Sequence, residues 1–498
     1  MIFFFIPQHP LPPDRLKKAT NVDSIVSAGP SVKIFERSLS KSAKKKGFSL
    51  NLLLKFDPFG RSSDGSLLFC GSYVFIKSEH RSGKESRLHM EKHWQGLDFL
   101  RGLGIFFLLV FHSAFYYFGG LWDLDLDNPP LIITIIGFLL MFAGMFAMIS
   151  GAAHGIGILR LYRRDRWSLK KILRKKAVSA AFMLIIAYLY FLLTGPGLAV
   201  FDQRRMDNSL LVELIRSGRL AGISLERFFY VDSLVMIGSN ILLVSLIWIW
   251  LLKTGRLRPG VLLGLAGTVM ALTLLRLPLY PYYREQFAAG NWFPVLTLFW
   301  LVNKNNPVMP FLAFGLLGSW LGLCLEEGRS RRPALILGIV LAATGLTLYV
   351  FLPDTMLQRE IDLKWYSIML TQLGLFLLLI LGSLALFDRK AREQTAAAPT
   401  GWLCRFLCRF SYAGLTAFFW ESVLAALAWR LLLRIFPGLQ FDIAGALLFG
   451  FSLALLWGFL LLLWAKWHFA GSIEYFYGLV VGKLGRFSSK SSKLKSGS

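Results

Sequence analysis

Ten apolar runs, most of them about twenty residues long, dominate residues 97–466 of this 498-residue chain. A helix rises about 1.5 Å per residue, so about 20 residues cross the roughly 30 Å hydrocarbon core of a membrane. The runs are too long and too uniformly apolar for barrel strands, and lipid leaves no partner for unpaired backbone groups. They therefore predict an all-α, polytopic transmembrane bundle of about ten helices. The predicted spans are 97–119, 131–157, 177–201, 230–251, 260–280, 307–325, 333–352, 366–387, 411–433 and 443–466.

The positive charge of the chain follows this division into spans. Basic residues concentrate in every second loop, first at 160–176, then near 253–258, 329–332 and 389–409, and finally in the C-terminal tail. The opposite loops are acidic or mixed, beginning with Asp123, Asp125 and Asp127. This positive-inside alternation predicts an even number of spans with both termini in the cytoplasm. The net charge of +26 is thus attributed to topology and to contact with anionic membrane lipids, and no nucleic acid partner is expected.

Three regions differ in composition. Residues 1–89 contain turn formers, Lys and Ser but no span, whereas 90–487 form the transmembrane domain and 488–498 a Lys/Ser-rich cytoplasmic tail. Two interpretations of 1–89 stay open: a flexible cytoplasmic extension, or translation that starts at Met90. The four cysteines match no zinc-binding spacing, so no metal is predicted. We expect a multi-pass protein of the cytoplasmic (inner) membrane of a bacterium.

Ionisable residues inside a span are costly in hydrocarbon and therefore mark candidate functional sites. Arg101 and His112 lie eleven residues apart in the first span, which brings them onto one helix face about 16 Å apart. Arg101 is predicted at the cytoplasmic boundary and His112 near the middle of the membrane. An imidazole at that depth can act as a base, and a guanidinium can hold phosphate oxygens. The bland alternatives are a helix–helix hydrogen bond for His112 and an ordinary boundary cation for Arg101.

Other polar residues extend this candidate site. Glu421 in the ninth span lies at a depth close to that of His112, so the carboxylate is expected to orient the imidazole or to bind a substrate. The alternative is an ion pair with Arg430 or with another helix. His154, at the cytoplasmic end of the second span, is a candidate for contact with a substrate on that side. Asp232 and Asn240 in the fourth span are candidates for binding an acceptor substrate from the outer side. The loop before that span carries arginines that either bind an anion or pair with neighbouring acids: Arg204, Arg205, Arg216, Arg219 and Arg227.

The segment LDFLRGLGIFFLLVFH, with its Arg-x10-His pair, resembles the opening helix of membrane acyltransferases of the acyltransferase-3 type and of heparan-α-glucosaminide N-acetyltransferase-like proteins. Four later segments also resemble these families: AMISGAAHG, YVDSLVMIGSNILL, NPVMPFLAFGLLGSWLG and GLTAFFWESVLAAL. The resemblance covers about residues 95–435. It implies transfer of an acyl group from cytoplasmic acyl-CoA to a hydroxyl or amine of an extracytoplasmic glycan or lipid-linked sugar.

On that basis His112 and Glu421 are the expected catalytic residues and acetyl-CoA the expected donor. Arg101, His154, Arg163 and Arg164 are expected to bind it, the last two as part of the basic cluster that attracts its phosphates. Two other classes of function stay open. A secondary transporter or flippase would also use a few polar residues at mid-membrane, although the chain has no convincing internal repeat. A non-catalytic membrane scaffold would leave His112 and Glu421 replaceable, and a homo-oligomer is compatible with each function.

Overall fold

A computed structural model describes residues 94–124, 130–140, 142–200, 203–220, 222–353, 361–388 and 401–482. The predicted extension 1–89 and the tail 488–498 lie outside these described residues. The described chain is almost entirely helical and contains one short two-stranded sheet. The predicted all-α class is therefore confirmed.

The helices and strands follow one another in a simple order. The first half contains α1 (Gln95–Tyr117), α2 (Leu131–Leu140), α3 (Ala143–Arg163), α4 (Leu169–Leu189) with a π-helical turn (Tyr190–Thr194), β1 (Leu198–Val200), β2 (Arg205–Asp207), α5 (Leu210–Ser217), α6 (Leu225–Phe228) and α7 (Ser233–Lys253). The second half contains α8 (Pro259–Leu272), α9 (Arg276–Ala288), α10 (Trp292–Val302), α11 (Val308–Glu326), α12 (Arg332–Phe351), α13 (Leu363–Asp388), α14 (Trp402–Tyr412), α15 (Gly414–Ile435), α16 (Ile443–Ala465) and α17 (Ile473–Gly482).

Ten of the described segments are long and apolar enough to cross a membrane, as the sequence predicts. They are α1, α3, α4 with its π turn, α6 through α7, α8 through α9, and α11, α12, α13, α15 and α16. The predicted second span, 131–157, joined two helices: α2 ends at Leu140 and α3 begins at Ala143. A run of that length exceeds the about 20 residues that one crossing needs.

The third span also begins and ends earlier than predicted. The helix starts at Leu169 rather than near residue 177, so five basic residues assigned to a loop occupy its first turns: Lys170, Lys171, Arg174, Lys175 and Lys176. Long cationic side chains tolerate this position because their stems can reach toward headgroups. The π turn ends at Thr194, before Gly195 and Pro196.

Glycines let two central spans pack with their backbones in contact. A Cβ on Gly151 of α3 would lie 2.0 Å from the carbonyl oxygen of Gly315 in α11, and one on Gly318 would lie 1.9 Å from that of Met148. Small residues allow this close approach between membrane helices. Of the apolar stretch in α11, 89% is buried, against 17% in α12. α11 therefore lies in the interior of the bundle, and α12 presents most of its surface to lipid.

Neighbouring helices fix α1 at its start and along its length. The carboxylate of Asp388, at the end of α13, accepts 3.0 Å hydrogen bonds from the backbone N–H groups of Gln95 and Gly96. These groups would otherwise lack a partner at a helix N-terminus. Farther along, a Cβ on Gly450 of α16 would lie 2.1 Å from the carbonyl oxygen of Val110. The part of α1 that carries His112 is thus held against α16.

The ends of the spans meet in two groups. At one end Arg160 donates two 2.9 Å hydrogen bonds to Glu326, and Trp94 lies beneath the guanidinium of Arg331. At the other end the N–H of Gly119 donates to Phe441, and the N–H of Asn306 donates to Val231. The basic segments 160–176 and 329–332 therefore share one end of the bundle, which is the arrangement that the positive-inside alternation requires.

We expect single cysteines at positions 165 and 219 to react from opposite sides of the membrane. Both positions are exposed, one between α3 and α4 and the other after α5. In a variant without the four native cysteines, an impermeant maleimide should label position 219 in intact cells. It should label position 165 only after permeabilisation, because the basic end is predicted to be cytoplasmic. The reverse order would contradict the predicted topology.

Candidate functional site

His112 and Glu421 are in direct contact. The imidazole Nδ1 lies 2.8 Å from Oε1 of the carboxylate, joining α1 to α15. The Glu421 side chain is 2% exposed and that of His112 is 20% exposed. Their similar predicted depth thus corresponds to a real contact, whereas Arg430 instead donates to the backbone oxygen of Ile215. His112 lies closer to the end of α1 at Tyr117 than to its start, so it is nearer one end of the bundle than predicted.

Tyr190 completes this polar group. It is the first residue of the π turn after α4, and its hydroxyl donates a 2.8 Å hydrogen bond to the same Oε1 of Glu421. The aromatic ring packs against Phe418, one turn before Glu421. Oε2 of Glu421 is buried and has no hydrogen-bond partner within the described residues. One carboxylate oxygen therefore accepts both hydrogen bonds of a buried Tyr190–Glu421–His112 network.

This network determines which imidazole nitrogen can act as a base. With Glu421 ionised, its hydrogen bond to His112 requires the proton on Nδ1. The other nitrogen, Nε2, then carries a lone pair and can accept a proton. The carboxylate also stabilises the imidazolium that results. A buried carboxylate that orients a histidine is the arrangement that general-base catalysis uses.

His112 and Glu421 line a narrow cavity that is partly open to the outside; the about 310 Å³ of non-atom space around it includes open solvent. α1 and α15 form one side of the cavity. The other side consists of α5 and the segment around β1 and β2, including Pro196, Gly197 and Asn208. Polar groups therefore converge at one end of the bundle, on the side opposite to the basic segments.

Arg227 holds the β1–β2 wall in place. It is 2% exposed, and its guanidinium donates to the backbone oxygens of Phe191, Pro196 and Asp207. The Asp207 carboxylate lies 3.7 Å from Nε of the same side chain. Arg227 thus has a structural position, although the sequence grouped it with candidate anion-binding residues. Arg204 of that group lies 3.5 Å from Asp123, so part of the group pairs with acids.

Arg101 lies away from this cavity. Its side chain bonds Asp98 at 2.6 Å and Ser411 at 2.7 Å, so it faces the α14–α15 segment as His112 does. Gly102 beside it admits a backbone: a Cβ there would lie 2.1 Å from the carbonyl oxygen of Leu407 in α14. Leu108, between Arg101 and His112 on the same face, packs against an apolar cluster that contains Tyr190 and Phe418. Protein side chains therefore occupy the face of α1 between Arg101 and His112.

The other candidate donor contacts lie at the basic end. His154 Nδ1 is 2.7 Å from Nζ of Lys176, which joins α3 to α4. Arg163 lies 3.3 Å from Glu327, and the backbone N–H of Arg164 closes the last turn of α3. Arg163 and Arg164 are both exposed. These residues share the end of the bundle where Arg101 lies, and the structure does not bring them to His112.

Asp232 and Asn240 make structural contacts. Asp232 caps α7 by accepting a 2.8 Å hydrogen bond from the N–H of Val235. The side-chain amide of Asn240 donates to the backbone oxygen of Phe311 at 3.0 Å, which ties α7 to α11. Both side chains are buried, and neither is among the residues that line the cavity.

Two residues of the cavity region carried too weak a signal to be assigned from sequence. Tyr190 is one tyrosine in an apolar span, and its contact with Glu421 joins residues 231 positions apart. Arg216 lines the cavity, yet the sequence offered it only as one of five arginines in a loop. The local signal that could have been used is the position of Tyr190 in the last turn before Gly195 and Pro196, a pair that disfavours a continuing helix.

Neither a scan against protein-family models nor a search of curated proteins finds a match for this chain.

Proposed function

We propose that this protein is an integral membrane acyltransferase that moves an acyl group, expected to be acetyl, from acyl-CoA to a hydroxyl or amine. The acceptor is an extracytoplasmic glycan or lipid-linked sugar. The proposal follows from the sequence resemblance in α1 together with one structural observation. That observation is the Tyr190–Glu421–His112 network beside an open cavity.

The network supports a role for His112 beyond helix packing. A structural hydrogen bonder needs only one partner and no access, whereas His112 remains partly exposed and lines the cavity. Burying an ionisable carboxylate such as Glu421 is costly unless its hydrogen bonds and charge partners compensate. Placing that carboxylate on Nδ1 leaves Nε2 for chemistry at the cavity. This division of roles favours a general base over a simple interhelical contact.

The proposed reaction uses Nε2 of His112 to accept a proton from the acceptor hydroxyl or amine. The freed lone pair attacks the carbonyl carbon of the thioester, forming the new C–O or C–N bond. The C–S bond then breaks, and the CoA thiolate leaves with a proton returned from the imidazolium. Glu421 stabilises the imidazolium between these steps, and Tyr190 holds the carboxylate in place.

The donor phosphates are assigned to the basic end of the bundle. Arg163 and Arg164 are exposed there and can attract a polyanion, whereas Arg101 is engaged with Asp98 and Ser411. His112 lies about 16 Å along α1 from Arg101, eleven residues at 1.5 Å each. A thioester that reaches His112 from that end therefore requires the packing around Leu108 and α14 to open.

Acyl transfer is tested with the full chain in lipid nanodiscs. Incubation with acetyl-CoA that carries a labelled acetyl group should transfer the label to an envelope glycan or lipid-linked sugar fraction. Mass spectrometry should find the matching acyl group on surface glycans of cells that contain the protein and not of cells that lack it. Absence of both signals, together with solute uptake into proteoliposomes, would instead support a transporter.

A further inference from the structure

Arg216 contributes a positive charge to the lining of the cavity. It is on α5, and its guanidinium lies over the ring of Tyr117, 5.3 Å from the centroid. It makes no ion pair with a carboxylate in the part of the chain that the structure describes. Glu213, one turn earlier on α5, accepts a 2.7 Å hydrogen bond from Asn208 and is near enough for the charge of Arg216 to act on it.

The surrounding loop makes this position distinctive. Arg227 is buried in backbone contacts, and Arg204 lies against Asp123, outside the cavity. Arg216 lines the same cavity as His112 and Glu421. Its face toward Tyr117 is occupied by the ring, which holds the planar guanidinium by a cation–π contact. Its N–H edges are left to bind a ligand.

Two hydroxyls add polar groups to the lining of the same cavity. Ser113 of α1 and Ser422 of α15 line the cavity, and within the described chain neither side chain is hydrogen-bonded to another residue. Both can therefore bond a hydroxylated ligand. Glu421 carries the opposite charge at the His112 side, so an anionic ligand group is repelled there and attracted toward Arg216. The charges thus favour one orientation of a ligand with a single anionic end.

We propose that the cavity binds an acidic sugar, with its carboxylate or phosphate at Arg216 and its reacting hydroxyl or amine at Nε2 of His112. This inference rests on the proposed acyl transfer and names the class of acceptor. The guanidinium fork binds either anion through paired hydrogen bonds, so the two share one recognition chemistry. Ser113 and Ser422 bond the remaining hydroxyls of the ring.

The test compares sugars that differ in one substituent. D-glucuronate and D-glucose 6-phosphate carry an anion where D-glucose carries a neutral hydroxymethyl group. Binding to the purified full chain in nanodiscs, without acyl-CoA, is measured by thermophoresis, with inorganic phosphate as a fourth probe. We expect at least one anionic sugar to bind about tenfold more tightly than glucose, because a charge-assisted hydrogen bond contributes at least that factor. The preferred anion identifies carboxylate or phosphate as the natural group.

Arg216→Gln should remove the preference for the anionic sugar, and Arg219→Gln should retain it. Arg219 is the matched control because it is exposed in the same loop but does not line the cavity. Equal binding of all three sugars, no binding of any, or an equal loss in both variants would overturn the inference. Phosphate alone binding as tightly as glucose 6-phosphate would overturn its sugar component. Because no acyl donor is present, these outcomes are separate from failure of the proposed acyl transfer, which is judged by labelled product.

Discussion

Replacing His112 by glutamine is expected to lower the rate of acyl transfer by about 10²- to 10⁴-fold, the usual effect of losing a general base. Glutamine can still donate a hydrogen bond to Glu421, but it cannot accept a proton at neutral pH. A residue that only joins α1 to α15 should therefore tolerate this change. The measurement is transfer of labelled acetyl by the purified variant at saturating acetyl-CoA.

Two further variants separate chemistry from folding. If His112 is the base, His112→Ala should be as inactive as His112→Gln. If His112 has only a structural role, His112→Gln should be clearly more active than His112→Ala, because glutamine keeps a hydrogen bond to Glu421. His468→Gln is the matched control, since His468 is exposed and lies after the last span. It should retain full activity. Thermal stability and membrane insertion of each variant are measured alongside.

Near-normal turnover by the His112→Gln protein would refute the role given to this residue. Loss of turnover together with loss of insertion would not support it either, because a misfolded bundle is inactive for any reason. The comparison is informative because glutamine preserves the contact with Glu421, which ties two spans together. A stable, inserted and inactive variant is the result that the proposed mechanism requires.

The spans could be predicted because their physical signal is local. Hydrocarbon thickness sets a length, and each apolar run shows its own length in the sequence. The exceptions arose where neighbouring elements are also apolar or unusually charged. α2 and α3 form one apolar run in the sequence, whereas the helix α2 ends at Leu140 and α3 begins at Ala143. The basic start of α4 was assigned to a loop because its charge outweighed its helical continuity.

The site was predictable to the extent that helical geometry fixes depth. The contact between His112 and Glu421 followed from counting residues along two spans, since equal depth makes contact feasible. The lateral arrangement of the helices leaves no such signal in one sequence. The hydrogen bond from Tyr190 to Glu421 and the place of Arg216 in the cavity lining are therefore seen only in the structure. Asp232 caps α7, and Asn240 joins α7 to α11.

The Gly102 position shows the same limit. A glycine beside Arg101 is compatible with close approach by either another backbone or an elongated ligand. The structure places Leu407 of α14 there. The sequence of α14 contains Arg405 and Arg409 and reads as part of a cytoplasmic segment, so its packing onto α1 was not evident. Contacts between distant segments decide such cases, and composition does not reveal them.

Glu421→Gln is expected to lower acyl transfer by about 10²- to 10⁴-fold, with little loss of folding. The substitution keeps the size of the side chain and an oxygen that Tyr190 can bond. It removes the negative charge that stabilises the imidazolium of His112. The amide can also turn its NH₂ group toward Nδ1, which would place the imidazole proton on Nε2 and block the base. Turnover of labelled acetyl-CoA is again the measurement, with Glu285→Gln as an exposed acidic control outside the cavity lining.

The double variant His112→Gln with Glu421→Gln tests whether these residues act as one unit. If Glu421 works only through the imidazole, removing its charge has no further effect once the base is absent. The double variant should then be no slower than His112→Gln alone, although each single change costs orders of magnitude. Independent roles would instead multiply, giving a loss near the product of the two single effects. A multiplicative result would show that Glu421 acts directly on the acceptor or donor, and would contradict the orienting role that its 2.8 Å contact with His112 suggests.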